Sequence, residues 1–150
     1  MTERVDFYVL KTSTAKERWT FACRLTEKAY LRDLKVVLVS ETADDARVID
    51  ELLWTFNERS FVPHDILRDQ PSFDASTPVR LTFDLDAVEA ADLLVNLSGS
   101  LPARLERFSR IAEIIDGDDE RRRLGRERFK AYRELKLPVE THQLDAAAGA

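Results

Sequence analysis

Glycine is scarce in this chain; Gly99, Gly117, Gly125 and Gly149 are its four. None falls in LKTSTAKE, the turn after the first apolar run. Neither G-x-G-x-x-G nor G-x-x-x-x-G-K-[ST] occurs, so no loop of backbone amides is advertised for a phosphate. The weaker segment LSGSLPAR, ahead of a predicted helix, reads first as a plain strand-to-helix turn and only second as an anion site. Cys23 stands alone, which excludes a disulfide framework or cysteine metal site within the chain and marks it as a small buried hydrophobe. The two histidines, His64 and His142, have no metal-binding spacing, and no serine lies in a G-x-S-x-G elbow. No apolar run reaches 18 residues, and MTERVDFYVL has neither a basic region nor an apolar signal segment, so a cytoplasmic protein without a membrane span is expected. No catalytic residue, metal ligand or cofactor-binding residue is assigned.

What is present suits one globular domain, with 150 residues, 44% apolar and 34% charged. VDFYVL and KVVLV read as strands covered on both faces, and Trp19, Ala22, Cys23, Thr26 and Tyr30 recur between them at helical spacing. Thr42 is placed to cap the next helix, with Asp44 and Asp45 in its first turn and Val48, Ile49, Leu52, Leu53 and Phe56 on its apolar side. A long connection is expected from about Asn57 to Thr77, punctuated by Pro63 and Pro71. VRLTFDLD alternates as a strand with one wet side, ADLLVNLS reads as a buried strand, PARLERFSR as a short helix and IAEIID as a further strand. A last helix is predicted from about Asp118 to Lys136, stopped by Pro138. The reading is an α/β, three-layer α/β/α domain over residues 1–137, with a mainly parallel central sheet and Rossmann-like topology lacking a phosphate-binding loop. Residues 138–150 are expected to form a partly frayed extension.

Net charge is -5, yet Arg121 to Lys136 holds eight basic residues against Glu127 and Glu134. On a helical wheel Arg122, Arg126, Phe129, Lys130 and Arg133 share one stripe, while Leu124, Ala131 and Leu135 lie opposite as the expected core side. Phe129 among cations either packs under a neighbouring loop or serves a ligand that is both anionic and apolar. An acidic peptide with an apolar residue satisfies that demand, as does a single strand of nucleic acid; the acidic net charge favours the peptide. A second oddity is LLWTFNERSFVPHDIL, where Trp54 and Phe61 straddle a predicted helix end and loop.

VDFYVL, DELLWTFNERSFVPH and RERFKAYR, in that order and spacing, together resemble the chi subunit family of bacterial DNA polymerase III, over most of residues 4–137. The resemblance implies a clamp-loader accessory protein without catalysis or cofactor, acting in DNA replication. It implies that Arg126, Phe129 and Lys130, with Arg122 one turn earlier, bind the acidic C-terminal tail of single-stranded DNA-binding protein. It implies that Trp54 and Phe61, flanked by Val62 and Pro63, contact the psi subunit or a repair-type helicase. DNA would then be met indirectly, through the replisome at the nucleoid. The competing reading from the residues alone is a nucleotide-binding regulator or small enzyme of doubly wound type, holding phosphate at LSGSLPAR.

Overall fold

Val36–Val39 is apolar at every position, and β-branched at three, because it becomes a central strand covered on both faces. The structure, a computed structural model, describes residues 2–56, 62–66, 78–88 and 90–144. Among these, seven strands form one sheet: β1 (Arg4–Leu10), β2 (Val36–Val39), β3 (His64–Ile66), β4 (Val79–Thr82), β5 (Ala91–Asn96), β6 (Phe108–Ile115) and β7 (Val139–Leu144). Their order is β3-β4-β2-β5-β6-β1-β7, and every pairing is parallel.

Among the described residues, three α-helices cover the sheet: α1 (Ala15–Tyr30), α2 (Ala43–Thr55) and α3 (Asp119–Glu134). Each begins with a side chain that accepts a first-turn amide. Thr14 accepts from Glu17, Thr42 from Asp45 as the sequence predicts, and Asp118 from Arg121. The strand pleat then sorts the core into two layers. Val36 and Leu38 join Ala22 and Cys23 of α1 and Ile49 and Leu53 of α2. Val37 and Val39 join Phe7, Ile111 and Tyr132 on the α3 side. The mainly parallel α/β/α arrangement therefore follows the sequence reading.

Several local expectations are corrected. PARLERFSR forms no α-helix; it has a 3-10 turn at Leu105–Arg107, and β6 begins at Phe108 because Phe108 and Ile111 are wholly buried. VRLTFDLD keeps strand geometry for four residues, all buried, while Phe83 is exposed and Leu85 enters a second 3-10 turn. Val48, expected on the apolar side of α2, is exposed. The stretch taken as one long connection contains β3, and residues 57–61 and 67–77 lie outside the described residues. The boundary at residue 137 cuts through the sheet, since Val139–Leu144 pair with β1 along the whole of β7. Residues 145–150 lie outside the described residues.

The largest departure concerns the buried side of α3. It is formed by Gly125, Arg128 and Tyr132, whereas Leu124 and Ala131 are half-buried and Leu135 is exposed. Periodicity weighs apolar residues and passes over an arginine that is buried because its charge is matched. Glu113 of β6, fully buried, accepts from Arg128 Nε (3.1 Å), Tyr132 Oη (2.6 Å) and Asn96 Nδ2 (2.9 Å). Arg128 Nη1 also donates to the Gly99 carbonyl at 3.2 Å. Burial pushes the Glu113 carboxyl above its usual value, against the pull of Arg128, Tyr132 and Asn96. Burial also pushes the Tyr132 hydroxyl up, and the Glu113 charge adds to that shift.

Removing one partner of such a pair strands a charge in the interior. Arg128→Met is expected to cost about 3–5 kcal/mol by chemical denaturation. Adding Glu113→Gln should restore part of that loss, because the amide carries no charge. A double variant less stable than Arg128→Met would contradict this account. A second expectation concerns acid. Burial pushes the Asp116 carboxyl up, but the Arg121 guanidinium (2.7 and 2.8 Å) and the Asp118 amide outweigh it and hold it below its usual value. A carboxyl depressed in the folded state contributes stability that is complete above the unfolded value of about 4 and fades as pH falls through the folded value. Asp116→Asn should therefore flatten the loss of stability below about pH 4, measured as urea midpoints across pH.

Candidate functional site

Helix α3 can lie close on β6 because residue 125 is glycine; a Cβ there would meet Ile115 Cδ1 at 2.8 Å. Close approach opens a hollow of about 280 Å³ beside the helix. Arg122, Gly125, Arg126 and Phe129 form its helical wall. Phe7 and Val9 of β1 and Ile115 of β6 form its floor, and Thr141 and Gln143 of β7 its far rim. The β1–β7 register sets Phe7 beside Thr141 and Val9 beside Gln143, so one face of both strands faces the hollow.

The basic residues of α3 divide by task. Arg121 is held by Asp116, Arg123 by Glu120 and Glu127, and Arg128 by Glu113. Among the described residues, Arg122, Arg126 and Lys130 have no carboxylate partner, and all three are exposed. Arg122 Nε donates to the Asp116 carbonyl at 3.0 Å, which orients this side chain at the hollow's edge. Phe129 is half-buried, set edge-on to Phe7 with ring centroids 5.3 Å apart, and the Arg133 guanidinium lies 5.9 Å from its ring centre. Phe129 packs against Phe7 of β1 rather than under a loop, and it also lines the hollow. The structure brings Arg122, Arg126 and Phe129 together there, while Lys130 follows on the outer side of the helix and does not line it.

The second predicted group differs in exposure among its described members. Trp54, on the last turn of α2, is half-exposed, and Pro63 is half-buried. Phe61 lies outside the described residues. Val62 is fully buried in the cluster of Ile49, Leu53, Val79 and Leu81, so its side chain supports this region from beneath and offers no surface.

The ends of the strands, where a doubly wound domain holds its ligand, are unsuited to phosphate. A hollow of about 340 Å³ lies there, lined by Glu41, Asp45, Asp118 and Glu120, while the Arg121 and Arg128 that also line it are paired with Asp116 and Glu113. Buried Arg18, whose guanidinium burial lowers to about 10, is already committed to the carbonyls of Ile114 and Leu97. No α-helix follows LSGSLPAR, and Asn96 Oδ1 takes the Ser98 amide (3.0 Å) and hydroxyl (2.7 Å).

Sequence reasoning overlooked a cluster on the opposite side of β1 and β7. Asp6 Oδ1 accepts from Arg4 Nη2 (2.7 Å) and His142 Nε2 (2.9 Å), and Arg110 Nη2 reaches Asp6 Oδ2 (3.3 Å). Arg4 also reaches Glu140 at 3.0 Å. Burial pushes the Asp6 carboxyl up, but the hydrogen bonds from Arg4 and His142 leave it below its usual value. Nothing in linear spacing signals this group, because Asp6 and Glu140 meet through strand register.

A family model, "DNA polymerase III chi subunit, HolC", matches residues 1–140. A DNA polymerase III subunit chi of Pseudomonas aeruginosa is 36% identical over 143 residues, which span 94% of this chain and 96% of that protein. The subunit chi of Haemophilus influenzae is 28% identical over 134 residues (89% and 92%), and that of Escherichia coli 26% over 136 (87% and 91%). Among solved structures, DEAD-box helicase domain 2 of Mss116p, bound to an RNA duplex, superposes with a TM-score of 0.55 at 11% identity. That match covers 93% of this chain and 64% of the helicase chain, and it shows a shared fold alone. The chain belongs to the DNA polymerase III chi subunit family.

Proposed function

We propose that this protein is a non-catalytic adaptor of the DNA polymerase III holoenzyme, which holds the acidic C-terminal tail of single-stranded DNA-binding protein in the hollow beside α3. The observation that carries this reading is the pairing of an apolar lining, Phe7 and Phe129, with Arg122 and Arg126, which lack carboxylate partners among the described residues, on a chain of net charge -5. An acidic peptide ending in an apolar side chain and a free carboxylate has both characters. The ring enters against Phe129 and Phe7, and the guanidinium forks of Arg126 and Arg122 receive carboxylates. Lys130, outside the hollow, attracts the acidic residues that precede the end of the tail. Thr141 and Gln143 add polar side chains from β7 on the far rim.

The half-exposed Trp54 supports a second contact, which we assign to the psi subunit of the clamp loader, with a repair-type helicase as the competitor for the same surface. Trp54 is the anchor and Pro63 stiffens its neighbour chain; Phe61 is carried over from the family resemblance. The protein would work in the cytoplasm and reach the nucleoid through the replisome. The nucleotide-binding alternative fares worse, since acidic side chains line the hollow it would use.

Isothermal calorimetry with the synthetic acidic tail peptide tests the first site. Arg126→Ala should weaken binding by about 1.5–3 kcal/mol, the range for a hydrogen bond to a charged group. Unchanged affinity would move the site off α3. Raising the salt concentration should weaken binding further, because part of the attraction is screened. For the second site, Trp54→Ala should abolish co-purification with psi while leaving tail affinity intact; retention of psi would place that contact elsewhere.

A further inference from the structure

Beta strands send alternate residues to opposite faces, so the residues of β1 and β7 that do not serve the α3 hollow meet on the other side of the sheet. There α1 covers β5 and β6 but leaves a trough of about 300 Å³ along Asp6 and Tyr8 of β1 and Arg110 of β6. One wall is α1, where Arg24 and Lys28 repeat one helical turn apart, and Arg32 continues the row just past its end. The spacing is about 6 Å, four residues at about 1.5 Å each. Lys28 and Arg32 are exposed.

Two rings, Tyr8 and Phe21, line the trough, and His142 backs Tyr8 without lining it. Tyr8 stacks on His142 with centroids 4.9 Å apart and planes at 17°, and meets Phe21 of α1 at 5.4 Å and 50°. All three are neither fully buried nor fully exposed. Among the described residues Asp6 is the acidic side chain of the lining, and it is matched by Arg4, Arg110 and His142, so it does not cancel Lys28 and Arg32.

We propose that this trough binds single-stranded DNA, with phosphates along Lys28 and Arg32 and bases against Phe21 and Tyr8. Cations beside flat rings match a polymer that carries a charge and a π-face on every unit. An acidic peptide supplies the charges but no regular succession of flat rings, and a duplex keeps its bases stacked inside. The family is that of a DNA polymerase subunit, which selects DNA among single strands. Since β1 and β7 divide the trough from the α3 hollow, a peptide and a DNA strand can be held at once on opposite faces of the same two strands.

Fluorescence anisotropy of a labelled oligothymidylate of about 15 nucleotides, with the full chain at about 50 mM salt, tests the proposal. The wild-type chain should bind, and Lys28→Glu with Arg32→Glu should weaken binding at least tenfold. The double variant should also show a log–log salt slope shallower by about 1.4, at about 0.7 per lost phosphate contact. An abasic strand of equal length should bind more weakly to the wild type; equal binding overturns the stacking platform. Thermal melting confirms that the variant, altered at two exposed positions, is folded. Failure of the wild type to bind, or undiminished binding by the double variant, overturns the proposal. Loss of oligonucleotide binding in Arg126→Ala would overturn it too, by moving the strand to α3. Weaker tail-peptide binding by the Lys28/Arg32 variant, with oligonucleotide binding unchanged, would assign the trough to protein instead.

Discussion

Glu113 is a carboxylate in the middle of a sheet, and the placement of α3 depends on how its charge is answered. Its neighbours on the strand, Ile111 and Ile115, are ordinary core residues on the same face. Arg128 and Tyr132, one turn apart, reach the two oxygens, and Asn96 from β5 adds a third donor. These contacts are directional, whereas the apolar contacts around them tolerate sliding. A helix shifted by one residue would keep much of its buried area but would leave Glu113 unpaired, at a cost of several kcal/mol. Register is thereby specified for the one helix that carries the candidate peptide site.

That registration explains why a small residue must sit at 125. With Arg128 and Tyr132 drawn to Glu113, the helix axis comes close to β6, and residue 125 points at Ile115. The same rotation places Arg122, Arg126 and Phe129 at the border between the buried side and solvent. A phenylalanine at such a border is held on one edge by Phe7 and remains accessible on the other. The hollow is thus a by-product of how a polar core contact positions an apolar wall.

Much of this was legible in the sequence, and what escaped did so for identifiable reasons. Apolar runs mark β1, β2 and β5, and Thr42 with its following aspartates marks the start of α2, because these signals are local. The cationic stripe with Phe129 is also local, at one turn's spacing. Misreadings arose where a residue's environment is made by distant chain. The core side of α3 reads as Leu124, Ala131 and Leu135 until Glu113 is known to lie beneath Arg128. Val62 reads as loop surface until the sheet closes over it. Val139–Leu144, with glutamate, threonine, histidine and glutamine in alternation, lacks a strand's apolar face and becomes one by pairing with β1. PARLERFSR has helical spacing, but the burial of Phe108 beside Ala91 draws its end into the sheet.

The polarity of β7 follows from its place as the edge strand beside β1. An edge rich in polar side chains resists pairing with other sheets, and here it also contributes to both candidate surfaces. Thr141 and Gln143 face the α3 hollow, while His142 stacks on Tyr8 and bonds to Asp6 on the other side. An apolar strand in this position would have served the fold equally well but would have left both surfaces without these polar groups. The charge distribution adds to the division: on a chain of net charge -5, exposed cations stand on the outer side of α3 and at Lys28 and Arg32, while Glu41, Asp45, Asp118 and Glu120 line the strand ends. This charge pattern favours anionic partners on the two proposed faces over the crevice that this fold most often uses for ligands.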